Sequence, residues 1–353
     1  MIATDSDHTK PSRLPLLIIV PEIYRAIVPS LVGNLAVKPI YLHADLTAVD
    51  PADEELIDEA EAVFRWGYTW SGKQVGALAR RCRKLRWLHS PSAGIEGFLV
   101  PDLLSLPNLV VTNATGVHSI PIAEFVLGVI LAHVKRHVEY RALDNLPDHA
   151  DLFRIGKSLR CGDVFGRNVL IFGLGSIGLE IGKRCKAFGM NVWGSRRSAQ
   201  DPIPGVADLI VGPDRWRSLL PEVDFLVLTS PLNNETKGLI DSTVLGKLKK
   251  GAYLINVARG AIVNENDLVD VLNSDQLSGA AIDVFDPEPP SPTSPIFTDV
   301  QDRRKLFLTP HISWTSGESN RRTLELWARN LAAFVEGSPM VNVCDHRAMA
   351  LSC

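Results

Sequence analysis

The 353-residue chain is long enough for two domains, and its 46% hydrophobic and 22% charged residues are typical of a globular protein. Its formal net charge of −3 gives no support to a general affinity for nucleic acid or anionic membranes. The five cysteines are dispersed without disulfide-type or metal-type spacing, which indicates reduced thiols and no metal site. Because no secretory signal or membrane-length apolar run is visible, the sequence predicts a cytoplasmic protein.

The first part of the chain alternates between strand-like and helix-like stretches. Residues 14–20 form a short apolar run typical of a buried parallel strand, and residues 51–67 begin as an acidic helical stretch that passes into a buried segment. Residues 72–89 have a helix pattern that leads into a strand, and residues 109–116 combine a strand with a loop of small residues. This alternation predicts a first α/β unit that ends near Asn113.

The rest of the chain predicts a second α/β unit. Residues 120–140 are predicted to form the longest helix, with Pro121 near its start, where a missing N–H is tolerated. Six short β-rich runs follow, each ending in a loop of small or polar residues. This pattern indicates a doubly wound sheet that binds ligands beyond the carboxyl ends of its strands. Residues 318–337 are predicted to form an amphipathic helix that Gly337 ends.

A glycine-rich segment follows the first strand of the second unit and opens a helix. Its glycines, Gly173, Gly175 and Gly178, have the G-x-G-x-x-G spacing of a dinucleotide-binding turn. We expect Gly173 to allow the tight turn, Gly175 to let pyrophosphate approach the backbone, and Gly178 to let helix and strand pack closely. The pyrophosphate would then lie at the helix N-terminus, at Ser176 and Ile177.

The next strand of this unit ends without the acidic residue that commonly binds the ribose 2′-hydroxyl of NAD. That acid is expected roughly twenty residues after the glycines. Here the position is taken by Ser195, which Arg196 and Arg197 follow. A carboxylate would repel a 2′-phosphate, whereas arginine has a planar donor group that matches phosphate geometry. The alternative is that both arginines merely face solvent, but their position favours NADP(H) over NAD(H).

Three further strand-end loops each carry one polar residue of a different type: Arg259, Glu288 and His311. Each of them alone has an ordinary structural explanation. Together they provide what hydride transfer to a 2-keto acid requires. These requirements are a cation for the carboxylate and carbonyl, an acid for the new alkoxide, and a carboxylate that keeps this acid charged.

The chain resembles the D-isomer-specific 2-hydroxyacid dehydrogenases over roughly Leu14 to Asn342. The resemblance rests on the stretches HSPSAGIEGF, TNATGVHSIPIAEFVLG, FGLGSIG, SPLNNETKGLI, LINVARGAIVNENDL, GAAIDVFDPEPP and TPHIS. It implies a Rossmann-type doubly wound coenzyme domain, residues 116–317, inserted into a smaller flavodoxin-like α/β substrate domain, residues 14–115 and 318–353. It also implies a homodimer formed through the helix near residues 122–134.

The resemblance also implies roles for individual residues. Arg259 would be the substrate clamp, His311 the acid/base and Glu288 its carboxylate partner. The backbone of Ser92, Ala93 and Gly94 would bind the substrate carboxylate. The remaining cofactor contacts implied by the family pattern are Ser176, Ile177, Ser230, Thr236, Val257, Ala258 and Asp283. The absent ribose-binding acid departs from the family's usual pattern, so NADP(H) is expected to be preferred, with NAD(H) use possible.

The predicted function is therefore the NADPH-dependent reduction of a small 2-keto acid, glyoxylate or hydroxypyruvate first, to the D-2-hydroxy acid. Glu288 disfavours formate dehydrogenase, which resembles this family but has glutamine there. Two alternatives stay open: a phosphite-oxidising relative with the same three residues, and a nucleotide-sensing corepressor of the same fold. Trp314, three residues beyond His311, is predicted either to form a wall selective for small or apolar side chains or simply to pack.

Overall fold

The computed structural model describes residues 14–65, 70–143 and 149–346, which form two compact units. Described residues up to Thr115 and from Asn320 onward make the first unit, and Gly116–Ser319 make the second. None of the described helices is both long and apolar enough to cross a membrane.

The strands, in chain order, are β1 (Leu16–Pro21), β2 (Val37–Leu42), β3 (Ala62–Phe64), β4 (Trp87–His89), β5 (Val110–Thr112), β6 (Asn168–Phe172), β7 (Asn191–Ser195), β8 (Leu209–Val211), β9 (Phe225–Leu228), β10 (Ala252–Asn256), β11 (Leu277–Ile282), β12 (Leu306–Leu308) and β13 (Val343–Cys344). The α-helices are α1 (Val28–Val32), α2 (Gly72–Arg81), α3 (Pro101–Leu104), α4 (Ser119–Val134), α5 (His137–Leu143), α6 (His149–Gly156), α7 (Ser176–Ala187), α8 (Ser242–Leu245), α9 (Glu265–Asn273), α10 (Pro295–Thr298) and α11 (Gly317–Glu336). Short 3₁₀ helices lie at Glu22–Tyr24, Pro51–Glu59, Glu96–Phe98, Trp216–Glu222, Gly260–Ile262 and Arg303–Lys305.

The first unit contains a six-stranded sheet in the order β2-β1-β3-β4-β5-β13. The first five of these strands are parallel, and β13 pairs antiparallel to β5. This parallel order is that of the flavodoxin-like fold. Apolar clusters cover both faces of the sheet. On one of them Trp327 of α11 stacks on Phe64 at 4.7 Å between ring centroids.

The second unit contains a seven-stranded sheet in the order β12-β11-β10-β9-β6-β7-β8, and every pair in it is parallel. Counted from β6, this is the usual order of a Rossmann fold with one further strand. The strand order changes side between β6 and β9: β7 and β8 are added on one side of β6, and β9 to β12 on the other. The predicted α/β class with a doubly wound coenzyme domain is confirmed, and the carboxyl ends of all seven strands lie along one edge.

Three strands, β2, β8 and β13, were absent from the sequence prediction, and one stretch has a different helix type. In β2, Lys38 and Pro39 interrupt the apolar run, which the sheet tolerates because β2 is an edge strand. Strand β8 has only three residues. Residues 51–59, expected as an acidic helix, form 3₁₀ turns in which only Ile57 is buried, so they lack the apolar stripe of a packed α-helix.

The prediction that residues 120–140 form the longest helix is wrong. Helix α4 ends at Val134 after 16 residues, whereas α11 has 20 residues. Arg136 adopts a left-handed φ of 56°, and the Val134 carbonyl accepts a hydrogen bond from Gly162 N at 3.1 Å. The chain therefore turns before α5 begins. The predicted end of the last helix is confirmed, because α11 stops at Glu336 and Gly337 has a φ of 73°.

Candidate coenzyme and catalytic site

The side chains predicted to act in the second unit lie in loops at the carboxyl edge of its sheet. In sheet order, these loops carry His311 after β12, Asp283 and Glu288 after β11, Arg259 after β10, Ser230 after β9, Gly173–Gly178 after β6, and Ser195–Arg197 at the end of β7. Because neighbouring parallel strands end side by side, residues distant in sequence become neighbours along this edge.

Two of the three motif glycines are required by the protein's own packing. A Cβ at Gly173, where φ is 105°, would lie 2.6 Å from the backbone nitrogen of Ser230. A Cβ at Gly178 would lie 2.8 Å from the Gly173 carbonyl oxygen, so its absence lets α7 pack closely on β6. A Cβ at Gly175 would meet nothing within 4 Å. Open space at Gly175 leaves the backbone accessible to a ligand.

Helix α7 begins directly after Gly175, which provides no side-chain cap. The first turn of α7 also contains no acidic residue. The N–H groups of Ser176 and Ile177 in this turn have no intrahelical acceptor, as in any helix, and the helix dipole adds positive potential there. This end of α7 therefore fits a pyrophosphate group.

The end of β7 is joined to the glycine loop through the backbone. The Ser195 carbonyl accepts hydrogen bonds from the N–H groups of Gly173 at 3.0 Å and Leu174 at 2.8 Å, and Ser195 itself is buried. Arg196 donates to the Gln200 side chain at 2.8 Å, and Arg197 is exposed. Among the described residues, neither arginine pairs with a carboxylate, so both guanidinium groups keep their charge available beside this loop.

The loop after β9 is closed by Thr236. Its buried hydroxyl donates to the Pro231 carbonyl at 2.8 Å and accepts from Asn233 N at 2.8 Å. Ser230 is half-buried, and its backbone lies against Gly173. Thr236 thus shapes the loop that the resemblance assigns to the cofactor.

Arg259 is positioned by the last residue of β10. Asn256 is buried, and its side chain donates to the Arg259 carbonyl at 3.0 Å and accepts from Ala258 N at 3.1 Å. Val257 and Ala258 are buried between them, while Arg259 is half-exposed and donates from Nη1 to the Ala258 carbonyl at 2.7 Å. Sequence reasoning did not single out Asn256, although a polar residue that ends an apolar strand is a usable signal.

The turn after Arg259 touches the loop that leads to Glu288. A Cβ at Gly260 would lie 2.1 Å from the Phe285 carbonyl carbon, so only glycine allows this approach. The Phe285 N–H donates to Glu288 Oε1 at 2.9 Å. The Arg259 and Glu288 loops are therefore in contact through Gly260 and Phe285.

His311 and Glu288 form a direct pair: His311 Nδ1 lies 2.8 Å from Glu288 Oε2. The side chains are 39% and 38% exposed, respectively. An ionised carboxylate can only accept, so the proton on this contact belongs to Nδ1. Nε2 then remains the ring nitrogen that can exchange a proton with a substrate.

The loop that carries His311 is fastened to Asp283. The buried Asp283 carboxylate accepts from the Thr309 hydroxyl at 2.5 Å, Ile312 N at 2.9 Å and Ser313 N at 3.1 Å. His311 N donates to the Asp283 carbonyl at 2.7 Å, and His311 has a left-handed φ of 54°. Asp283 was expected from the resemblance to contact the cofactor. In this structure its carboxylate binds the loop that carries His311.

Trp314 belongs to the same loop. Its indole N–H donates to the His311 carbonyl at 2.8 Å, and its ring lies edge-on to His118 at 5.4 Å between centroids. The ring is half-buried against the core of the second unit. Trp314 therefore supports the backbone of His311 as well as packing.

The segment Ser92, Ala93 and Gly94 belongs to the first unit, where it follows β4. Asn113 donates to the Ala93 carbonyl at 2.7 Å, and Ala114 N donates to the Ser92 carbonyl at 3.3 Å. Ala93 is exposed, and Ser92 and Gly94 are half-exposed. The two carbonyl groups are thus engaged within the unit, at the carboxyl edge of its own sheet.

Similarity to known proteins identifies the family of this chain. The family model described as D-isomer specific 2-hydroxyacid dehydrogenase, NAD binding domain, matches residues 127–313, which span Gly173 to His311. The chain belongs to the D-isomer-specific 2-hydroxyacid dehydrogenases. It is therefore an oxidoreductase with a nicotinamide-dinucleotide-binding domain, and the predicted family and enzyme class are confirmed.

Individual relatives agree with this family. A glyoxylate reductase of Thermofilum pendens is 32% identical over 265 residues, 72% of this chain and 73% of the relative. A family protein of Aeromonas salmonicida has a TM-score of 0.76 and 26% identity over 95% of this chain and 100% of its own. An NADPH-dependent glyoxylate/hydroxypyruvate reductase of Sinorhizobium meliloti, solved with NADP and sulfate, has a TM-score of 0.74 and 25% identity over 95% and 99%.

Proposed function

We propose that this 2-hydroxyacid dehydrogenase reduces a small 2-keto acid, glyoxylate or hydroxypyruvate, to the D-2-hydroxy acid with NADPH. The observation that carries the proposal is the 2.8 Å contact between His311 and Glu288 on the sheet edge that also holds Arg259. The similarity to a glyoxylate reductase and to a glyoxylate/hydroxypyruvate reductase supports the choice of substrate.

His311 is the proton donor in this proposal. Bound NADPH supplies the hydride that reduces the carbonyl carbon. The imidazolium of His311 gives its Nε2 proton to the alkoxide oxygen that develops, and Glu288 stabilises the imidazolium through Nδ1. Arg259 binds the carboxylate and polarises the carbonyl of the keto acid, for which its planar guanidinium is suited.

The first unit is proposed as the substrate domain, residues 14–115 and 318–353, and residues 116–317 as the coenzyme domain. The backbone N–H groups of Ser92, Ala93 and Gly94 then bind the substrate carboxylate. Supporting this role, Ser92 and Ala93 use their carbonyl groups inside the unit, which fixes the loop conformation. Trp314 is proposed to limit the size of the substrate side chain.

The cofactor preference is proposed to be NADP(H), with weaker use of NAD(H). Arg196 and Arg197 would bind the 2′-phosphate, and Ser195 avoids the repulsion that an acid would exert there. The open space at Gly175 and the uncapped start of α7 suit the pyrophosphate. The Sinorhizobium meliloti relative was solved with NADP, which supports this assignment.

Steady-state kinetics with both cofactors and a panel of keto acids test this proposal. We expect kcat/KM to favour NADPH over NADH about 10- to 1000-fold. Ser195→Asp combined with Arg196→Gln and Arg197→Gln should reverse the preference. Arg304→Gln, which removes an exposed arginine before β12 at the opposite edge, serves as the control.

The outcomes separate the alternatives. Wild-type protein that prefers NADH would refute the NADP(H) assignment. Oxidation of phosphite but no reduction of any keto acid would indicate the phosphite-oxidising relative. Dinucleotide binding without turnover of either substrate would indicate a nucleotide-sensing binding protein.

We further propose a cytoplasmic homodimer that forms through α4 and the helices after it. Val138 in α5, Phe153 in α6 and Phe165 before β6 are apolar and exposed in the single chain, as expected of a surface that a second copy covers. Light scattering after size exclusion should give twice the chain mass. Phe153→Asp should lower that mass, whereas a monomeric wild-type protein would refute the proposal.

A further inference from the structure

The peptide unit that joins Gly173 to Leu174 is held from both strands that flank β6. On one side, the Leu174 N–H donates to the Ser195 carbonyl at 2.8 Å, at the end of β7. On the other side, the Thr229 hydroxyl, directly after β9, donates to the Gly173 carbonyl at 2.7 Å. Because β6 lies between β7 and β9, these two hydrogen bonds fix one peptide plane from opposite directions.

The hydroxyl of Thr229 has a single proton to donate. Its oxygen lies 2.7 Å from the Gly173 carbonyl oxygen and 3.3 Å from that of Phe172, so the proton belongs to the shorter contact. The Phe172 carbonyl already accepts a hydrogen bond from the Thr229 backbone N–H at 2.9 Å. The half-buried Thr229 side chain is therefore committed to the glycine loop.

The Gly173 carbonyl oxygen, which Thr229 holds, is also the point from which the chain enters α7. It accepts a hydrogen bond from the Gly175 N–H at 2.7 Å, which closes the turn. The Gly175 carbonyl in turn accepts from the Leu179 N–H at 2.9 Å, where the hydrogen bonding of α7 begins. A Cβ at Gly178 would lie 2.8 Å from the same Gly173 oxygen. The position of this oxygen thus determines how the first turn of α7 is placed.

Glycine at position 173 makes this turn conformationally free. Its φ of 105° and its close approach to Ser230 exclude a side chain there. Because glycine lacks the steric restriction of other residues, a peptide unit beside it turns over more easily. A turned-over peptide would exchange the places of the Gly173 carbonyl and the Leu174 N–H, and both hydrogen bonds would be lost. Packing therefore requires glycine, and the Thr229 hydroxyl restricts the freedom that glycine brings.

We propose that Thr229 is a positioning residue for the dinucleotide, because it keeps the glycine loop and the first turn of α7 in the orientation that receives the pyrophosphate. This inference rests on the proposed placement of the pyrophosphate at Ser176 and Ile177. Thr229 acts through the Gly173 carbonyl, and the hydride and proton transfers do not involve it. Without the hydroxyl, only a fraction of the free protein has the turn in the binding orientation, and the apparent affinity falls by that fraction.

Direct binding of NADPH and NADH to Thr229→Val tests this proposal. Valine keeps nearly the shape of threonine but removes the donor. The Kd for NADPH, from a fluorescence titration without keto acid, should rise about three- to tenfold, as for the loss of one hydrogen bond. The Kd for NADH should rise by the same factor, because both coenzymes contain the pyrophosphate. In turnover, KM for NADPH should rise while kcat at saturating NADPH stays within about twofold, since bound dinucleotide selects the competent orientation.

Three further variants keep the test decisive. Thr229→Ser keeps the hydroxyl and should restore the wild-type Kd, whereas Thr229→Ala is a second variant without the donor and should match Thr229→Val. Thr298→Val is the control, because it removes a hydroxyl of α10 that lies 3.4 Å from the Ser294 carbonyl oxygen, and it should change neither Kd. Denaturant unfolding of each variant without coenzyme shows whether the fold survives.

Three results would overturn the proposal. Unchanged NADPH affinity in Thr229→Val and Thr229→Ala, whatever their stability, makes Thr229 an ordinary structural residue. A rise in Kd for NADPH alone assigns Thr229 to the 2′-phosphate, with Arg196 and Arg197, and not to the turn. A loss of kcat that saturating NADPH does not restore also contradicts the positioning role. Wild-type protein that binds NADPH but reduces no keto acid refutes the proposed function instead, because the titration needs no substrate.

Discussion

Replacing Glu288 by glutamine tests the central pair most directly. The change keeps the side chain's size and its ability to accept a hydrogen bond, but it removes the negative charge 2.8 Å from His311 Nδ1. In the proposed mechanism the charged form of His311 donates the proton, and the carboxylate stabilises that form. Without the carboxylate charge, kcat/KM for keto-acid reduction should fall.

The geometry sets the size of this fall in kcat/KM. A hydrogen bond to a charged group typically contributes about 1.5–3 kcal/mol, whereas exposed ion pairs contribute about 0.2–1 kcal/mol. Because both side chains are more than a third exposed, solvent screening places this pair near about 1 kcal/mol. Since about 1.36 kcal/mol corresponds to a tenfold change in rate, we expect kcat/KM to fall roughly fivefold.

The assay is kcat/KM for keto-acid reduction, measured at a fixed pH and ionic strength. Glu22→Gln provides a matched control, because Glu22 forms the equivalent 2.7 Å contact with His43 in the first unit. That variant should leave kcat/KM unchanged. If Glu288→Gln reduced keto acids as efficiently as the wild type, the reasoning about the pair would be refuted.

Three other predictions concern the clamp, the glycine loop and the catalytic loop. Arg259→Lys keeps the charge but loses the fork, so KM for the keto acid should rise and kcat should fall, while unchanged constants would show that Arg259 is not the clamp. Gly173→Ala should destabilise the fold by about 1–3 kcal/mol in denaturant unfolding. Gly175→Ala should weaken NADPH binding with little change in stability. The reverse pattern would contradict the site geometry. Asp283→Asn leaves a buried donor of the loop that carries His311 unpaired, so kcat should fall more than KM for the keto acid rises. A loss confined to NADPH affinity would disprove this prediction.

The sequence determined the local features whose causes lie within a few residues. Gly173 and Gly178 were predicted from spacing alone, and the structure shows the close backbone approaches that exclude a side chain at both positions. Gly337 ends the last helix as expected, because the left-handed conformation that favours glycine is a local property. The alternation of strands and helices was sufficient to predict the α/β class.

Tertiary structure alone decided the features that depend on distant partners. Strand β2 pairs with β1 despite Lys38 and Pro39, because an edge position tolerates what periodicity does not indicate. Asn256 and Asp283 act on neighbouring turns through buried hydrogen bonds, and nothing in the spacing of the sequence specifies those bonds. Composition and periodicity determine which segments become strands, whereas only strand order determines which strand-end residues become neighbours.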